Sequence, residues 1–354
     1  MDARFFSRLH KIEEILGEIL PPQSNESWRQ LSFGTLDACV SQEHLSQLID
    51  PNYNLVSLGG KRWRPLLLVL CAELAAETKE NCAASTEIAY RLTPLVELAH
   101  TSSLIMDDIE DGADMRRGKP AAHITFGLDA ALNAGSWLGY EATACIDGMN
   151  LPAELKNTLY SLYLLELRRL HLGQAMDILW HRNPTLIPTI EEYTAMVRNK
   201  TGTLARMAVK LGIIAGAGTM NEAERAGKIA EDIGVGFQII DDVTNLTTGN
   251  PGKKRGDDIV EGKKSLPVLL HLQEHPQAQQ KLESLFTKAR DEGIDSPAVE
   301  AAIALLSTSD AIEKAKAMGN ELVETKSREL AALYGTSGEP SELIIELFGT
   351  MLQK

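Results

Sequence analysis

Apolar residues return every three to four positions along almost the whole of this chain, which is the period of an α-helix. Alternating apolar and polar runs, which are typical of half-buried strands, are nearly absent, and aromatic residues make up only 5% of the sequence. We therefore predict an all-α protein. The predicted helices are residues 66–76, 88–106, 128–146, 154–179, 190–214, 222–246, 265–271, 297–306 and 310–334.

Glycine and proline clusters separate these segments, and no long linker, internal repeat or low-complexity stretch divides them. The chain has 354 residues, of which 44% are hydrophobic, so its length allows one large domain or two smaller ones. We predict a single domain over residues 1–354. Its core is expected at about residues 55–335, with a helical N-terminal extension over residues 1–50.

The formal net charge of −14 argues against nucleic acid and against an anionic membrane surface as the main partner. The four cysteines form no CxxC pair and no Cys/His metal spacing, a pattern that favours a reducing compartment. The longest apolar run, residues 65–72, is too short to cross a bilayer. The pattern of residues 1–20 indicates an amphipathic helix rather than a signal peptide. We expect a cytoplasmic protein without an integral membrane segment.

Two acidic clusters each end a strongly apolar segment. Asp107 and Asp111 are four residues apart, so they share one face of a helix. Asp241 and Asn245 repeat that spacing, whereas Asp108 points to another face, where it supports the ligands or meets solvent. An acidic cluster at a helix end is, on its own, more often solvated surface than a site. Because buried carboxylates are costly without a cation, these two clusters predict a site for hard divalent ions such as Mg²⁺.

Basic residues gather beside both acidic clusters although the overall charge is negative. Lys61 and Arg64 follow a Gly-Gly turn at the start of a predicted helix, where backbone N–H groups also favour anions. The other basic residues near the clusters are Arg116, Arg117, Lys200, Lys253 and Lys263. Each of them alone is typical of a solvated surface, but together they carry enough positive charge to bind two diphosphate groups.

In this order, the motifs resemble those of the trans-isoprenyl diphosphate synthases, also called polyprenyl synthetases, in particular the geranylgeranyl type. The matching segments are GGKRWRP at 59–65, HTSSLIMDDIED at 100–111, MRRGKPAAH at 115–123, KTG at 200–202, GFQIIDD at 236–242 and GDDIVEGKKSLP at 256–267. The resemblance covers about residues 55–335, and several motifs in order are far more specific than any single match.

The resemblance implies an all-α isoprenoid synthase bundle around a deep central cavity, usually as a homodimer. It also implies head-to-tail condensation of isopentenyl diphosphate with an allylic diphosphate (dimethylallyl, geranyl or farnesyl). The product is an all-trans short-chain prenyl diphosphate, with diphosphate released. Such a reaction needs cations to neutralise the leaving group, an apolar cavity to protect the allylic cation, and an alkene already in line.

The resemblance further implies a role for individual residues. Three Mg²⁺ ions are expected, two on Asp107 and Asp111 and a third on Asp241, and the predicted metal set also includes Asp108 and Asp242. The residues expected to hold the allylic diphosphate are Arg116, Lys200 and Lys253. Those expected to hold isopentenyl diphosphate are Lys61, Arg64, His100 and Arg117. Lys263 is expected as a late phosphate contact. The residues expected to be catalytic are Lys200, Thr201 and Gln238, of which Thr201 and Gln238 are expected to line the reacting carbons and the leaving group.

Two features depart from or refine the family pattern. Asn245 stands where many members have a third aspartate, so its role as a ligand is left open. Ser102 and Ser103 precede the first acidic motif and are small, which disfavours a strict fifteen-carbon product and favours geranylgeranyl diphosphate. Farnesyl and longer products stay open. Trp137 is either a deeper cavity floor or an ordinary packing residue, and Ser102→Phe is expected to shorten the product.

Two other functions compete with condensation. A class I terpene cyclase shares the first acidic motif, but Lys61, Arg64 and the Gln238-containing second motif favour a synthase. A non-catalytic partner subunit of a heteromeric synthase typically has eroded acidic motifs, whereas Asp107 and Asp241 are intact here.

Overall fold

The computed structural model describes residues 3–77, 79, 82–249, 254–335 and 337–352. Within these ranges nearly all regular structure is helical, which confirms the all-α prediction. The α-helices, in chain order, are α1 Ala3–Ile19, α2 Glu26–Phe33, α3 Gln42–Ser57, α4 Trp63–Ala76, α5 Cys82–Asp111, α6 Ala122–Phe126, α7 Leu128–Glu141, α8 Ala144–Asp147, α9 Ala153–His181, α10 Ile190–Val197, α11 Thr203–Ala215, α12 Met220–Thr247, α13 Asp257–Glu261, α14 Leu266–Glu274, α15 Gln279–Glu292, α16 Pro297–Leu306, α17 Ala311–Ala331 and α18 Glu339–Leu352.

Four short elements complete this list. Strands β1 (Met115–Arg116) and β2 (Lys119–Pro120) form an antiparallel hairpin after α5. A π-helical turn, Arg198–Gly202, joins α10 to α11, and a 3₁₀ turn, Pro276–Ala278, precedes α15. None of the helices in the described ranges is long and apolar enough to cross a membrane.

The predicted helices are all present, but some of their boundaries differ. The segment predicted over 128–146 is divided into α7 and α8, and the one over 190–214 is interrupted by the π-helical turn. α12 continues to Thr247, so the second acidic motif lies inside a helix rather than at its end. The sequence pattern predicts a helical extension over residues 1–50 without locating α2 or α3, and it predicts no helix at α6, α13, α15 or α18. α15 illustrates why: its buried stripe has only three residues, Leu282, Phe286 and Ala289.

The chain divides into two compact units. Unit 1 is Met1–Leu167, Leu204–Lys228 and Arg328–Lys354, and unit 2 is Arg168–Thr203 and Ile229–Ser327. Unit 1 carries the first acidic motif and the Gly-Gly turn, and unit 2 carries the π-helical turn and the second acidic motif. The single domain over residues 1–354 stays a prediction.

In unit 1 the first acidic helix is held by close helix packing. α4 is almost entirely apolar and buried, and it packs against α1, α5 and α18. Small residues of α11 reach its backbone: a Cβ added at Gly212 would lie 2.3 Å from the Leu68 carbonyl oxygen. One added at Gly216 would lie 2.6 Å from the Ala72 carbonyl oxygen. Glycine is therefore required for this helix–helix distance.

Candidate active site

The first acidic motif occupies the end of α5 in unit 1. The Asp107 side chain is 18% exposed, and Asp111 follows one turn later on the same face. Asp108 is only 1% exposed, and it accepts a hydrogen bond from Arg116 Nε at 2.8 Å. Arg116 Nη2 also lies 3.5 Å from Asp107 Oδ2. Asp108 is thus directed at Arg116, while Asp107 and Asp111 share another face of the helix.

A tight hairpin brings two arginines back towards this helix. α5 ends at Asp111 because Gly112 adopts a left-handed conformation, with φ of 66°. The turn between β1 and β2 consists of Arg117 and Gly118, with φ values of 51° and 74°. Two successive left-handed residues are typical of the type I′ turn that suits a two-residue hairpin. The Arg116 side chain therefore extends from β1, and the Arg117 side chain extends from the turn.

Arg117 packs onto the Gly-Gly turn that precedes α4. Its Nη1 donates to the carbonyl oxygens of Gly59 and, at 3.4 Å, Leu55. A Cβ added at Gly60 would lie 3.3 Å from Arg117 Nη2, so the guanidinium sits directly against the backbone of the turn. Lys61 is exposed on the same turn. The structure thus brings together two residues that were predicted to hold one diphosphate.

The other two residues predicted for that diphosphate are also neighbours. Arg64 Nη1 lies 3.3 Å from His100 Nε2, on α5. Burial, followed by the positive charges of Arg64 and Arg117, holds the pKa of the His100 imidazole well below its usual range. His100 is therefore neutral near pH 7. Because arginine only donates, Nε2 accepts from Arg64, and we infer that Nδ1 carries the proton.

In unit 2 the second acidic motif is part of a hydrogen-bonded chain. Asp241 is exposed, but Asp242 is only 5% exposed and both of its oxygens are engaged. Tyr193 OH donates to Asp242 Oδ2 at 2.6 Å, and Gln238 Nε2 donates to Oδ1 at 2.9 Å. Gln238 Oε1 accepts from Thr201 Oγ1 at 2.7 Å. Burial raises the pKa of the Asp242 carboxyl to about 6, although the two hydrogen bonds act in the opposite direction.

The π-helical turn positions Lys200 and Thr201. Lys200 Nζ donates to Asp177 Oδ2, on α9, at 2.6 Å. A Cβ added at Gly173 would lie 2.3 Å from the Lys200 backbone nitrogen, so α9 touches the turn backbone to backbone. One added at Gly234 of α12 would lie 2.6 Å from Gly202 Cα. The helix predicted over residues 190–214 is therefore interrupted here by a π-helical turn, Arg198–Gly202, a feature that is frequent at functional sites.

Asn245 is buried, and its oxygens hold the segment that follows α12. It is only 1% exposed, and its Oδ1 accepts from the Asp258 backbone nitrogen at 3.3 Å. Its carbonyl oxygen accepts from the Gly256 nitrogen at 3.0 Å. Lys263 follows this segment and lies 3.7 Å from Asp258 Oδ1. Lys253 lies outside the described residues.

The residues predicted to set product length lie on α5 and α7, in unit 1. Ser102 Oγ donates to the Gly135 carbonyl oxygen at 2.7 Å, and Ser103 Oγ donates to the His100 carbonyl oxygen at 2.8 Å. Trp137 stacks on Phe33 of α2, with ring centroids 6.1 Å apart and an interplanar angle of 10°. This contact favours the packing role over a cavity floor for Trp137.

The carboxylates fit a metal ion that binds together with a polyanion. Among the residues that the structure describes, no group of three His, Cys, Asp or Glu side chains is close enough to hold an ion. Mg²⁺ usually binds one or two carboxylates and completes its shell with waters and substrate phosphates. The hard oxygen donors of Asp107 and Asp111 in unit 1, and separately that of Asp241 in unit 2, suit that mode.

The sequence reading missed three residues that position the predicted ones. Asp177 pairs with Lys200, Tyr193 pairs with Asp242, and Arg62 forms a buried cluster beside the Gly-Gly turn. An acidic residue inside the apolar stretch of α9 was a usable signal for Asp177. No local pattern distinguishes Tyr193.

Comparison with known proteins gives a consistent result. The polyprenyl synthetase family profile matches residues 45–306. A geranylgeranyl pyrophosphate synthase of Macrophomina phaseolina is 34% identical over 266 residues, which cover 73% of this chain and 76% of that protein. A geranylgeranyl pyrophosphate synthase of Penicillium paxilli is 35% identical over 208 residues, 58% of this chain. That match spans about half of the P. paxilli protein, 53% of its length.

Solved structures share the fold. The geranylgeranyl pyrophosphate synthetase of Pyrococcus horikoshii superposes with a TM-score of 0.80 at 26% identity, covering 99% of this chain and 98% of that one. A decaprenyl diphosphate synthase of Rhodobacter capsulatus superposes with a TM-score of 0.78 at 19% identity, covering 99% and 98%. These likenesses confirm the predicted fold class.

Proposed function

Because this chain belongs to the polyprenyl synthetase family, we propose that it condenses isopentenyl diphosphate head-to-tail with an allylic diphosphate. The products are an all-trans prenyl diphosphate and free diphosphate. The hydrogen-bonded chain Thr201–Gln238–Asp242–Tyr193 is the observation that carries the proposal. It fixes the polar groups that face a developing allylic cation, so little reorganisation is needed during the reaction.

The two diphosphates have separate partners in this proposal. In unit 1, Lys61, Arg64 and Arg117 bind isopentenyl diphosphate, and neutral His100 orients the Arg64 guanidinium by accepting its hydrogen bond. The Arg117 contacts with the Gly-Gly turn hold that turn in place. Cationic side chains that are already held in place keep isopentenyl diphosphate oriented for attack on the allylic carbon.

For the allylic diphosphate we propose the residues that the family resemblance implies, which are Arg116, Lys200 and Lys253, with Lys263 as a late contact. Asp108 and Asp177 orient Arg116 and Lys200 through their ion pairs.

We assign the metal ligands to Asp107, Asp111 and Asp241, and we expect three Mg²⁺ ions. When bound, Mg²⁺ neutralises the negative charge that develops on the departing diphosphate. Asp242 supports Gln238 and Asp108 supports Arg116. Asn245 anchors the following segment, because its Oδ1 accepts from the Asp258 backbone nitrogen.

Geranylgeranyl diphosphate is the proposed product, supported by the small residues Ser102 and Ser103 and by the names of the matched relatives. We further propose a homodimer located in the cytoplasm, supported by the family resemblance.

The purified protein, incubated with Mg²⁺, radiolabelled isopentenyl diphosphate and dimethylallyl, geranyl or farnesyl diphosphate, should give labelled twenty-carbon diphosphate, identified by mass. Asp107→Asn should abolish the activity, whereas Asp129→Asn, an exposed aspartate on α7, should leave it unchanged. Absence of labelled product with every primer would overturn the proposal. A hydrocarbon product without incorporated label would indicate a cyclase. Activity that requires a second protein would indicate a partner subunit.

A further inference from the structure

We propose that the N-terminal helix α1 helps to position the residues that bind isopentenyl diphosphate. In this proposal Glu13 of α1 and Glu97 of α5 hold Arg62, and Arg62 sets the backbone that aims Lys61 and Arg64 at the substrate. The inference rests on the proposed function and assigns Arg62 and Glu13 as positioning residues for it.

Arg62 is a buried cation with three strong partners. It is only 4% exposed, and its Nη1 donates to Glu97 Oε1 at 2.6 Å. Its Nε donates to Glu13 Oε1 at 2.7 Å, and its Nη2 donates to the Val56 carbonyl oxygen at 2.7 Å. A charge that is removed from water must be paired in this way to be tolerated. The guanidinium therefore joins α1, α3 and α5 at one point.

The backbone of Arg62 is unusual in a way that links this cluster to the substrate turn. Its φ and ψ are 46° and 29°, in the left-handed region that residues other than glycine rarely adopt. Its carbonyl oxygen accepts from the Leu66 nitrogen at 3.1 Å, so it begins α4. Such a conformation persists where surrounding contacts impose it. The ion pairs of the side chain are those contacts, and the immediate neighbour Lys61 takes its direction from them.

The same cluster also reaches Arg64. Glu97 lies on α5 less than one turn before His100, whose Nε2 is 3.3 Å from Arg64 Nη1. Contacts with α5 thus hold both Arg62 and Arg64 of this segment. Helix α1 adds one further contact, from Glu13 to Arg62. Among the three charged groups, the Glu13 side chain is 46% exposed, against 1% for Arg62 and 4% for Glu97. Glu13 can therefore be altered without leaving Arg62 unpaired.

The test is Glu13→Gln in the full-length protein. We expect the KM for isopentenyl diphosphate to rise ~3- to 10-fold, as one charged hydrogen bond in a half-exposed pair allows. The kcat and the KM for farnesyl diphosphate should stay at the wild-type values. Simple electrostatics predicts the opposite sign, because removing a negative charge near an anionic substrate should tighten its binding.

Glu14→Gln is the matched control, since it makes the same charge change at the next residue. The Glu14 side chain is 60% exposed and contacts only His10 among the ion pairs of the described residues. Glu97→Gln is a second variant in which the effect on the KM for isopentenyl diphosphate should be larger, and its melting temperature shows whether it still folds. If Glu97→Gln does not fold, Glu13→Gln decides alone.

The proposal is overturned if Glu13→Gln and Glu14→Gln give the same kinetic constants, or if both substrate KM values change in parallel. An inactive wild-type protein would instead refute the proposed function, so the two failures are distinguishable.

Discussion

Removing the hydroxyl of Tyr193 tests whether the second acidic motif depends on its supporting hydrogen bonds. The Tyr193 side chain is 2% exposed, and its OH lies 2.6 Å from Asp242 Oδ2. The other oxygen of Asp242 accepts from Gln238, which in turn accepts from Thr201. Tyr193→Phe keeps the ring and its packing but leaves one buried carboxyl oxygen without its donor.

The size of the effect follows from the burial of both partners. A hydrogen bond to a charged group contributes ~1.5–3 kcal/mol. At 1.36 kcal/mol for each factor of ten, a loss of this size in the transition state lowers kcat by ~10- to 150-fold. We expect a fall within this range, because Asp242 then holds Gln238 less firmly beside Thr201. The KM for isopentenyl diphosphate should not change, since its proposed ligands lie in unit 1.

Steady-state kinetics give kcat and KM, and denaturant unfolding of the same samples gives the free energy of unfolding. Tyr160→Phe is the control, because Tyr160 OH also donates to an aspartate, Asp147, but at an exposed position of unit 1. The control should keep wild-type kcat. If Tyr193→Phe lowers the free energy of unfolding yet turns over at the wild-type rate, the hydrogen bond is structural and the reasoning about Gln238 is wrong.

Three further outcomes are expected. Burial raises the pKa of Glu141 to about 7 from its ordinary 4.5, so wild-type stability should fall by ~3 kcal/mol as the pH rises from 4.5 to 7. Glu141→Gln should remove this decrease of the unfolding free energy with pH. If denaturant unfolding gives the same pH dependence for both proteins, the raised pKa of Glu141 is wrong. Ser103→Phe should shorten the product on chromatography, because Ser103 lies four residues before Asp107 on the same face of α5; a wild-type product would remove Ser103 from the cavity wall. The sequence predicts a shorter product for Ser102→Phe as well, but Ser102 Oγ donates to the Gly135 carbonyl oxygen of α7, so that variant should also lower the melting temperature. Gly173→Ala would place a Cβ 2.3 Å from the Lys200 nitrogen, so unfolding should cost ~1–3 kcal/mol less and activity should fall; an unchanged unfolding curve would refute this packing.

Much of the fold could be predicted from local patterns. The apolar period located α5, α9 and α12, and helix geometry alone puts Asp107 and Asp111 on one face. α15 has a weak pattern, because its three buried residues fail to mark a helix. α18 does carry an apolar stripe at helical spacing, which the prediction overlooked: Leu343, Ile344, Leu347, Phe348 and Met351. Propensity and period describe neighbours within one or two turns, so they identify elements without showing what those elements touch.

The ordered motifs identified the family and most candidate residues, because residue types and their spacing can be taken directly from the chain. What each side chain does depends on its neighbours in three dimensions. Asp107 and Asp108 are neighbours in sequence, yet Asp108 is buried against Arg116. Lys200 is oriented by Asp177, 23 residues away on another helix. The physical reason is that a polar group's role depends on its burial and its partners, and contacts between distant parts of the chain supply both.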